Sequence, residues 1–128
     1  MTEKENIFSS SEELKIAVDA LGKELGLIST LDVKAGRRIW GAKRHIDVVF
    51  IHPESHLSLG IECRHRIVGG STERFHAIVE DLKAWPIKGI IVISKPGFSD
   101  NFRLYLQSTG CVVEYEDLED WVRLFFGF

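Results

Sequence analysis

The sequence predicts an α/β protein in which helices flank a central mixed sheet. Near the N-terminus, apolar residues recur at helical spacing, and three consecutive strand-like segments follow. A second helix and another strand-like run come next, and a helix between two strands requires a crossover, which makes those strands parallel. The predicted order of elements is α-β-β-β-α-β-α-β-α.

Composition indicates one domain over residues 1–128. The chain is 45% hydrophobic and 27% charged, which excludes the disordered and disulfide-scaffold classes. The N-terminus "MTEKENIFSSSEEL" has charge and serine where a signal peptide has an apolar region, so we expect a soluble cytoplasmic protein without membrane contact. Two cysteines, Cys63 and Cys111, lie in strand-like segments and are expected to be buried, reduced thiols.

The first helix is predicted to begin after the serines at 9–11, because serine caps helix N-termini and the acids that follow suit the helix dipole. Gly26 marks its end. Its apolar face is formed by residues spaced by three and four: Leu14, Ala17, Val18, Leu21 and Leu25.

The next three segments predict a meander of strands, and its first member is the least regular. They lie around Leu27–Trp40, Arg44–Ile51 and His56–His65, with turns at "WGAK" and "HPES".

The second half alternates helices and strands. The run "GGSTERFHAIVEDLKAW" predicts a helix that ends before Pro86, and "KGIIVIS" is typical of a strand covered on both faces. The stretches "SDNFRLYLQSTG", "CVVEY" and "LEDWVRLFF" then predict a helix, a strand and a terminal helix.

Two acids in the second and third strands are candidate metal ligands. Asp47 is the only acid in "HIDVVFI", and a carboxylate in such a run costs free energy unless it is paired or binds a cation. Alternation puts Glu62 and Arg64 together on one surface of the next strand, and a hairpin would bring Asp47 to the same end. Two converging carboxylates suit magnesium and metal-assisted phosphodiester hydrolysis. The alternative is structural ion pairing, of Glu62 with Arg64 and of Asp47 with a nearby arginine.

Two other regions are candidate binding surfaces. The run "KAGRRIWGAKRH" carries basic side chains and no acid, which favours contact with a nucleic-acid backbone; a solvated hairpin is the alternative. The candidate DNA contacts in the basic run are Arg37, Arg38, Lys43 and Arg44.

The aromatic C-terminus is either a homodimer surface or a helix that docks on the protein's own core.

The strands "IDVVF" and "GIECR" resemble the two motif strands of the PD-(D/E)XK nuclease superfamily. The resemblance implies a restriction endonuclease-like αβββαβ core at about residues 9–94, with a C-terminal α-β-α extension at 97–128. It also implies that Asp47 and Glu62 bind Mg²⁺ or Mn²⁺. Weaker matches are Glu13 on the first helix, as a site acid, and Arg74 on the second, as a DNA contact.

The motif departs from the family pattern at Arg64, where the superfamily has lysine. Arginine stays protonated and cannot act as a general base, but it can hold a phosphate or a developing negative charge. We therefore expect a metal-dependent DNA endonuclease with Arg64 as a catalytic residue. A catalytically weakened DNA-binding module on the same fold and a protein-interaction domain remain alternatives.

Overall fold

The computed structural model describes residues 8–34, 45–64, 79–80, 82–94 and 110–128. Within this part of the chain, two complete helices and five strands are present: α1 (Ser11–Glu24), β1 (Ile28–Lys34), β2 (His45–Ile51), β3 (Ser58–Arg64), β4 (Lys88–Ile93), β5 (Val112–Glu114) and α2 (Tyr115–Phe126). Residues 79, 80, 82 and 83 are also helical and belong to the second predicted helix. The helix predicted from "SDNFRLYLQSTG" lies almost wholly outside the described residues.

The strands form one mixed sheet in the order β1-β2-β3-β4-β5. The first three strands pair antiparallel, as the predicted meander requires. The β3–β4 and β4–β5 pairs are parallel, as the crossovers require. The predicted fold class, an α/β protein with a restriction endonuclease-like core, is therefore confirmed.

A serine cap fixes the start of α1. The Glu13 backbone N–H donates to Ser10 Oγ at 3.1 Å, which satisfies one of the donors that a helix N-terminus leaves open. The Glu13 carboxylate in turn accepts hydrogen bonds from the Ser9 N–H and hydroxyl. This reciprocal cap holds the first turn of α1 in place, and that turn lies beside the site described below.

Both faces of the sheet are covered. Ile90 and Val92 of β4 pack in the same cluster as α1 and α2, so both helices cover one face. Ile91 and Ile93 point to the other face and pack against Val79 and other residues of the second helix. The strand "KGIIVI" is thus apolar throughout because neither of its faces meets water.

Glycines let the layers approach closely. A Cβ at Gly22 of α1 would collide with the ring of Phe50, which occupies that space. On the other face, Cβ atoms at Gly60 and Gly89 would lie 2.9 and 2.6 Å from Cε3 of Trp85. Small residues therefore set how close α1 and Trp85 come to the sheet.

The C-terminal aromatic residues pack mostly on the protein's own core. Phe126 is buried, and Trp121 and Phe125 are partly buried against the same core, with their rings stacked at 5.4 Å. Phe128 is 49% exposed and Leu124 85% exposed. The homodimer stays a prediction. No described helix has the length and apolar character needed to span a membrane.

Prediction: Gly22→Ala destabilises the protein by about 1–3 kcal/mol, because the added methyl group overpacks the Phe50 contact. Alanine is ordinarily a better helix former than glycine by about 1 kcal/mol, so helix propensity alone predicts that Gly22→Ala makes the protein more stable. Urea unfolding measures the difference. Ala20→Gly, at an exposed position of α1, is the control that reports propensity alone; a Gly22→Ala protein more stable than the parent would contradict the packing argument.

Candidate active site

A cleft of about 770 Å³ opens where the first half of α1 meets the adjacent ends of β1, β2 and β3. It is polar, unlike the core on either side of the sheet. The described residues that line it are Ser11, Glu12, Lys15, Asp32, His45, Asp47, Glu62, Cys63 and Arg64. The cleft therefore brings together Asp47, Glu62 and Arg64, as the sequence predicted.

Asp47 lies at the point where the β2–β3 register ends. The last register pair is Val48 with Ile61, and the Asp47 side chain follows at the next position. Asp47 is only 6% exposed, and its Oδ2 accepts a hydrogen bond from the backbone N–H of Cys63 at 2.8 Å. A side-chain oxygen thus takes the place of a strand carbonyl, which fixes the carboxylate between the two strands.

Glu62 and Arg64 form an ion pair beside Asp47. Nε and Nη2 of Arg64 donate to Glu62 Oε2 at 3.1 and 3.0 Å. The other oxygen, Oε1, is buried and accepts no hydrogen bond from the described residues. The sequence placed Glu62 on a surface, but it is only 4% exposed. Leu59, Ile61 and Cys63 lie in the core as expected, and Glu62 is also buried because β3 is covered on both faces from Leu59 to Cys63.

Asp32 and Lys15 belong to the cleft and were not predicted. Leu31 pairs with Val48 and Val33 with Ile46, so Asp32 lies opposite Asp47 in the β1–β2 register. Asp32 has φ 53°, in the left-handed region that aspartate tolerates better than most residues. Both of its oxygens accept from Lys15 Nζ, at 3.1 and 3.4 Å. Asp32 is the only acid of its strand, the same signal that identified Asp47.

Some predicted site residues lie elsewhere. Glu13 caps α1 through Ser9, and its neighbour Glu12 is the α1 acid that lines the cleft. The site role of Glu13 stays a prediction. The candidate DNA contacts fall outside the described residues: Arg37, Arg38, Lys43, Arg44 and Arg74.

The charge of the cleft favours a bound cation. Its described lining contains four carboxylates against Lys15 and Arg64, a formal net charge of −2 with His45 neutral. Such a site repels a phosphodiester, and one divalent ion would bring the formal charge to zero. The carboxylate oxygens are the ligand type that Mg²⁺ and Mn²⁺ prefer.

A separate acidic cluster lies at the start of α2. One ligand atom from each of Glu114, Glu116 and Asp117 falls within 4.8 Å of the others. Glu116 and Asp117 are exposed, and the cluster shares no residue with the cleft. It forms an acidic surface at a helix N-terminus, where negative charge is favourable in itself.

The mixed sheet, the aspartate on its second strand and the E-x-R sequence on its third define a restriction endonuclease-like nuclease fold. The family model for the PD-(D/E)XK nuclease superfamily domain matches residues 7–120. The chain therefore belongs to the PD-(D/E)XK nuclease superfamily, whose members generally use divalent metals. Neither the curated proteins nor the solved structures give a significant match.

Prediction: Asp47→Ala destabilises the protein by about 1–3 kcal/mol, because the buried Cys63 N–H loses its acceptor. Asp47→Asn keeps an amide oxygen that can accept this hydrogen bond, so it lowers the free energy of unfolding by less than Asp47→Ala does. Denaturant unfolding of both variants measures the difference. Equal stability of Asp47→Ala and the parent would contradict the structural role of this contact.

Proposed function

We propose that the protein is a metal-dependent DNA endonuclease that hydrolyses phosphodiester bonds. The observation that carries the proposal is the convergence of Asp47 and Glu62, both nearly fully buried, in one cleft beside Arg64. Buried carboxylates are expensive to keep ionised, and a binding or catalytic role is a common reason for such an arrangement. Membership of a nuclease superfamily supports the same conclusion.

Asp47 and Glu62 are the residues that would hold the ion. Both offer carboxylate oxygens and come from adjacent strands, so their backbones are fixed by the sheet. When bound, Mg²⁺ or Mn²⁺ would supply Lewis acidity and neutralise charge near the phosphate. The electronegative cleft supports this assignment, since it favours a cation before a phosphate can enter.

The proposed reaction is displacement at phosphorus by water. A water oxygen forms a new bond to phosphorus as the bond from phosphorus to the leaving sugar oxygen breaks. One proton of the water passes to solvent, and the leaving oxygen takes a proton from solvent. Arg64 keeps its positive charge throughout, so its role is to stabilise negative charge on the phosphate and not to remove the proton.

The basic segment 35–44 is the proposed DNA contact. It joins Lys34 of β1 to His45 of β2, which pair in the sheet, and His45 lines the cleft. The segment has Arg37, Arg38, Lys43 and Arg44 but no acid. Because the segment runs directly into His45 of the cleft and carries this charge, we assign it the contact with the DNA backbone.

A second candidate is a DNA-binding module without turnover. The observation that favours it is Arg64 itself, which occupies the lysine position and already donates two hydrogen bonds to Glu62. A half-buried ion pair of this kind can have a structural role, because removing Arg64 would leave the buried Glu62 carboxylate without this charged partner. This candidate predicts salt-sensitive DNA binding with no metal-dependent cleavage.

Prediction: Asp47→Asn and Glu62→Gln each abolish Mg²⁺- or Mn²⁺-dependent nicking of supercoiled plasmid. Both substitutions keep the size of the side chain and remove the negative charge that would hold the ion. Gel electrophoresis of the plasmid over time measures the rate.

Glu119→Gln is the matched control, because Glu119 forms an exposed ion pair with Arg123 on α2, away from the cleft. We expect it to cut at the parent's rate. Cleavage by Asp47→Asn or Glu62→Gln at that same rate would contradict the assignment, and a metal-independent parent activity would do so too.

Prediction: Arg37→Ala with Arg38→Ala weakens DNA binding about equally for all sequences. If each arginine contacts one phosphate, the slope of log affinity against log salt falls by about 1 per contact. Fluorescence anisotropy with a labelled duplex at several salt concentrations measures the slope. Lys83→Ala, an exposed lysine paired with Glu80, is the control; an unchanged slope in the double variant would contradict the contact.

A further inference from the structure

Lys15 is a lysine in an unusual position. Its side chain is only 12% exposed, whereas lysine is usually the most exposed kind of residue. It lies on the second turn of α1 and lines the same cleft as Asp47 and Glu62. Its hydrocarbon stem is therefore mostly covered, whereas its charged end makes solvent-exposed hydrogen bonds at the rim of the cleft.

Two acids hold the Lys15 ammonium group. Nζ lies 3.1 Å from Asp32 Oδ1 and 3.2 Å from Glu12 Oε1. Asp32 occupies the register position opposite Asp47, and neighbouring strands are about 4.8 Å apart. Lys15 is thus tied through Asp32 to the strand position next to Asp47, in the same cleft as the proposed metal ligands.

Lys15 is charged at neutral pH. Burial lowers its pKa, but the hydrogen bonds that Lys15 donates to Asp32 and Glu12, together with the negative charges of both acids, outweigh burial and raise the pKa overall. Lys15 is therefore a cation and a hydrogen-bond donor, and it does not act as a general base.

The two cations of the cleft differ in how firmly they are held. Arg64 donates to Glu62, which is buried. If Arg64 moved to a phosphate, the buried Glu62 carboxylate would lose this ion pair, which is costly in free energy. The side chains that hold Lys15 are exposed, 58% for Asp32 and 67% for Glu12. Exposed pairs of this kind contribute at most about 1 kcal/mol each, so a phosphate can replace Glu12 while Asp32 still holds the ammonium group, which has three N–H donors.

We propose that Lys15 binds the scissile phosphate, and that Asp32 is the residue that positions it. The cleft would then obtain from α1 the ammonium group that β3 lacks, because β3 carries Arg64 at the motif position. This inference rests on the proposed nuclease function, and it adds a phosphate-binding residue that the motif strands do not supply.

The test uses Lys15→Met, Lys15→Arg and the control Lys23→Met. Lys23 is on the same helix and pairs with Asp19, but its side chain is 63% exposed and it does not line the cleft. Two quantities are measured: the single-turnover rate of duplex cleavage with Mg²⁺, and the affinity for a short duplex with Ca²⁺ in place of Mg²⁺. Thermal unfolding and Mn²⁺ titration check that the fold and the metal ligands are intact.

We expect Lys15→Met to lose roughly 100-fold in cleavage rate, as other enzymes do when one donor to a developing negative charge is removed. Its affinity for DNA should fall roughly tenfold, as expected for a lost charge-assisted hydrogen bond. Mn²⁺ affinity should be unchanged or higher, because a positive charge near the carboxylates has been removed. Lys15→Arg should recover part of both losses, and Lys23→Met should match the parent.

Cleavage and binding by Lys15→Met at the parent's level would overturn the proposal and leave the nuclease function intact. If the parent does not cleave DNA with any divalent ion, the nuclease function fails, and the Ca²⁺ binding measurement decides the role of Lys15. A tenfold lower DNA affinity of Lys15→Met than of the parent would then support phosphate binding by Lys15. Equal DNA affinity of the two proteins, or no DNA binding by the parent, would overturn the proposal.

Asp32→Asn tests the positioning role separately. Asparagine also tolerates the left-handed φ of 53°, so the strand geometry is kept while the charge is removed. We expect a smaller loss of cleavage than in Lys15→Met, and no further loss when both changes are combined. Additive losses would show that Asp32 does not act through Lys15 and would overturn this part of the proposal.

Discussion

The hydrogen bond from the Cys63 N–H to the Asp47 carboxylate is the contact on which the cleft depends. It lies beyond the last pair of the β2–β3 register, where a regular ladder would place a backbone carbonyl. Since a buried N–H needs an acceptor, the carboxylate is held there by the sheet itself. Its position brings Glu62, on the adjacent strand, and Asp32, on the other side, into the same region.

Keeping these charges out of water is costly, and the cleft offsets that cost by pairing. Arg64 offsets the charge of Glu62, and Lys15 offsets one of the two negative charges of Asp32 and Glu12 at the rim. A paired buried charge is not by itself evidence of function, because structural ion pairs use the same contacts. What distinguishes this cleft is the surplus of negative charge that remains after pairing, in a cavity large enough for a metal ion and a phosphate.

The sequence predicted the sheet and the convergence of the two candidate metal ligands for simple reasons. Strand alternation and a lone acid in an apolar run identify Asp47, and the hairpin geometry then brings Glu62 to the same end. The burial of Glu62 could not be predicted, because alternation gives the face on which a side chain lies and not what covers that face. Asp32 satisfied the same lone-acid criterion as Asp47. Its strand also carries serine, threonine and lysine, so an acid there does not stand out as it does in an apolar run.

Lys15 could not be found from the sequence, because its role depends on how α1 lies across the sheet. Helical spacing identifies Leu14 and Val18 as core residues but does not show which neighbouring side chain reaches the cleft. That orientation is set by packing, chiefly by the contact between Gly22 and Phe50. The motif strands match the family pattern except at Arg64, whereas the proposed phosphate-binding residue, Lys15, comes from the helix.

The central claim is that Asp47 and Glu62 bind a divalent cation, and anomalous diffraction from a crystal soaked in Mn²⁺ tests it most directly. The account predicts a peak within coordination distance of a carboxylate oxygen from each residue, about 2.0–2.6 Å. A peak confined to the acidic cluster of Glu114, Glu116 and Asp117, or no peak in the cleft at saturating Mn²⁺, would contradict it.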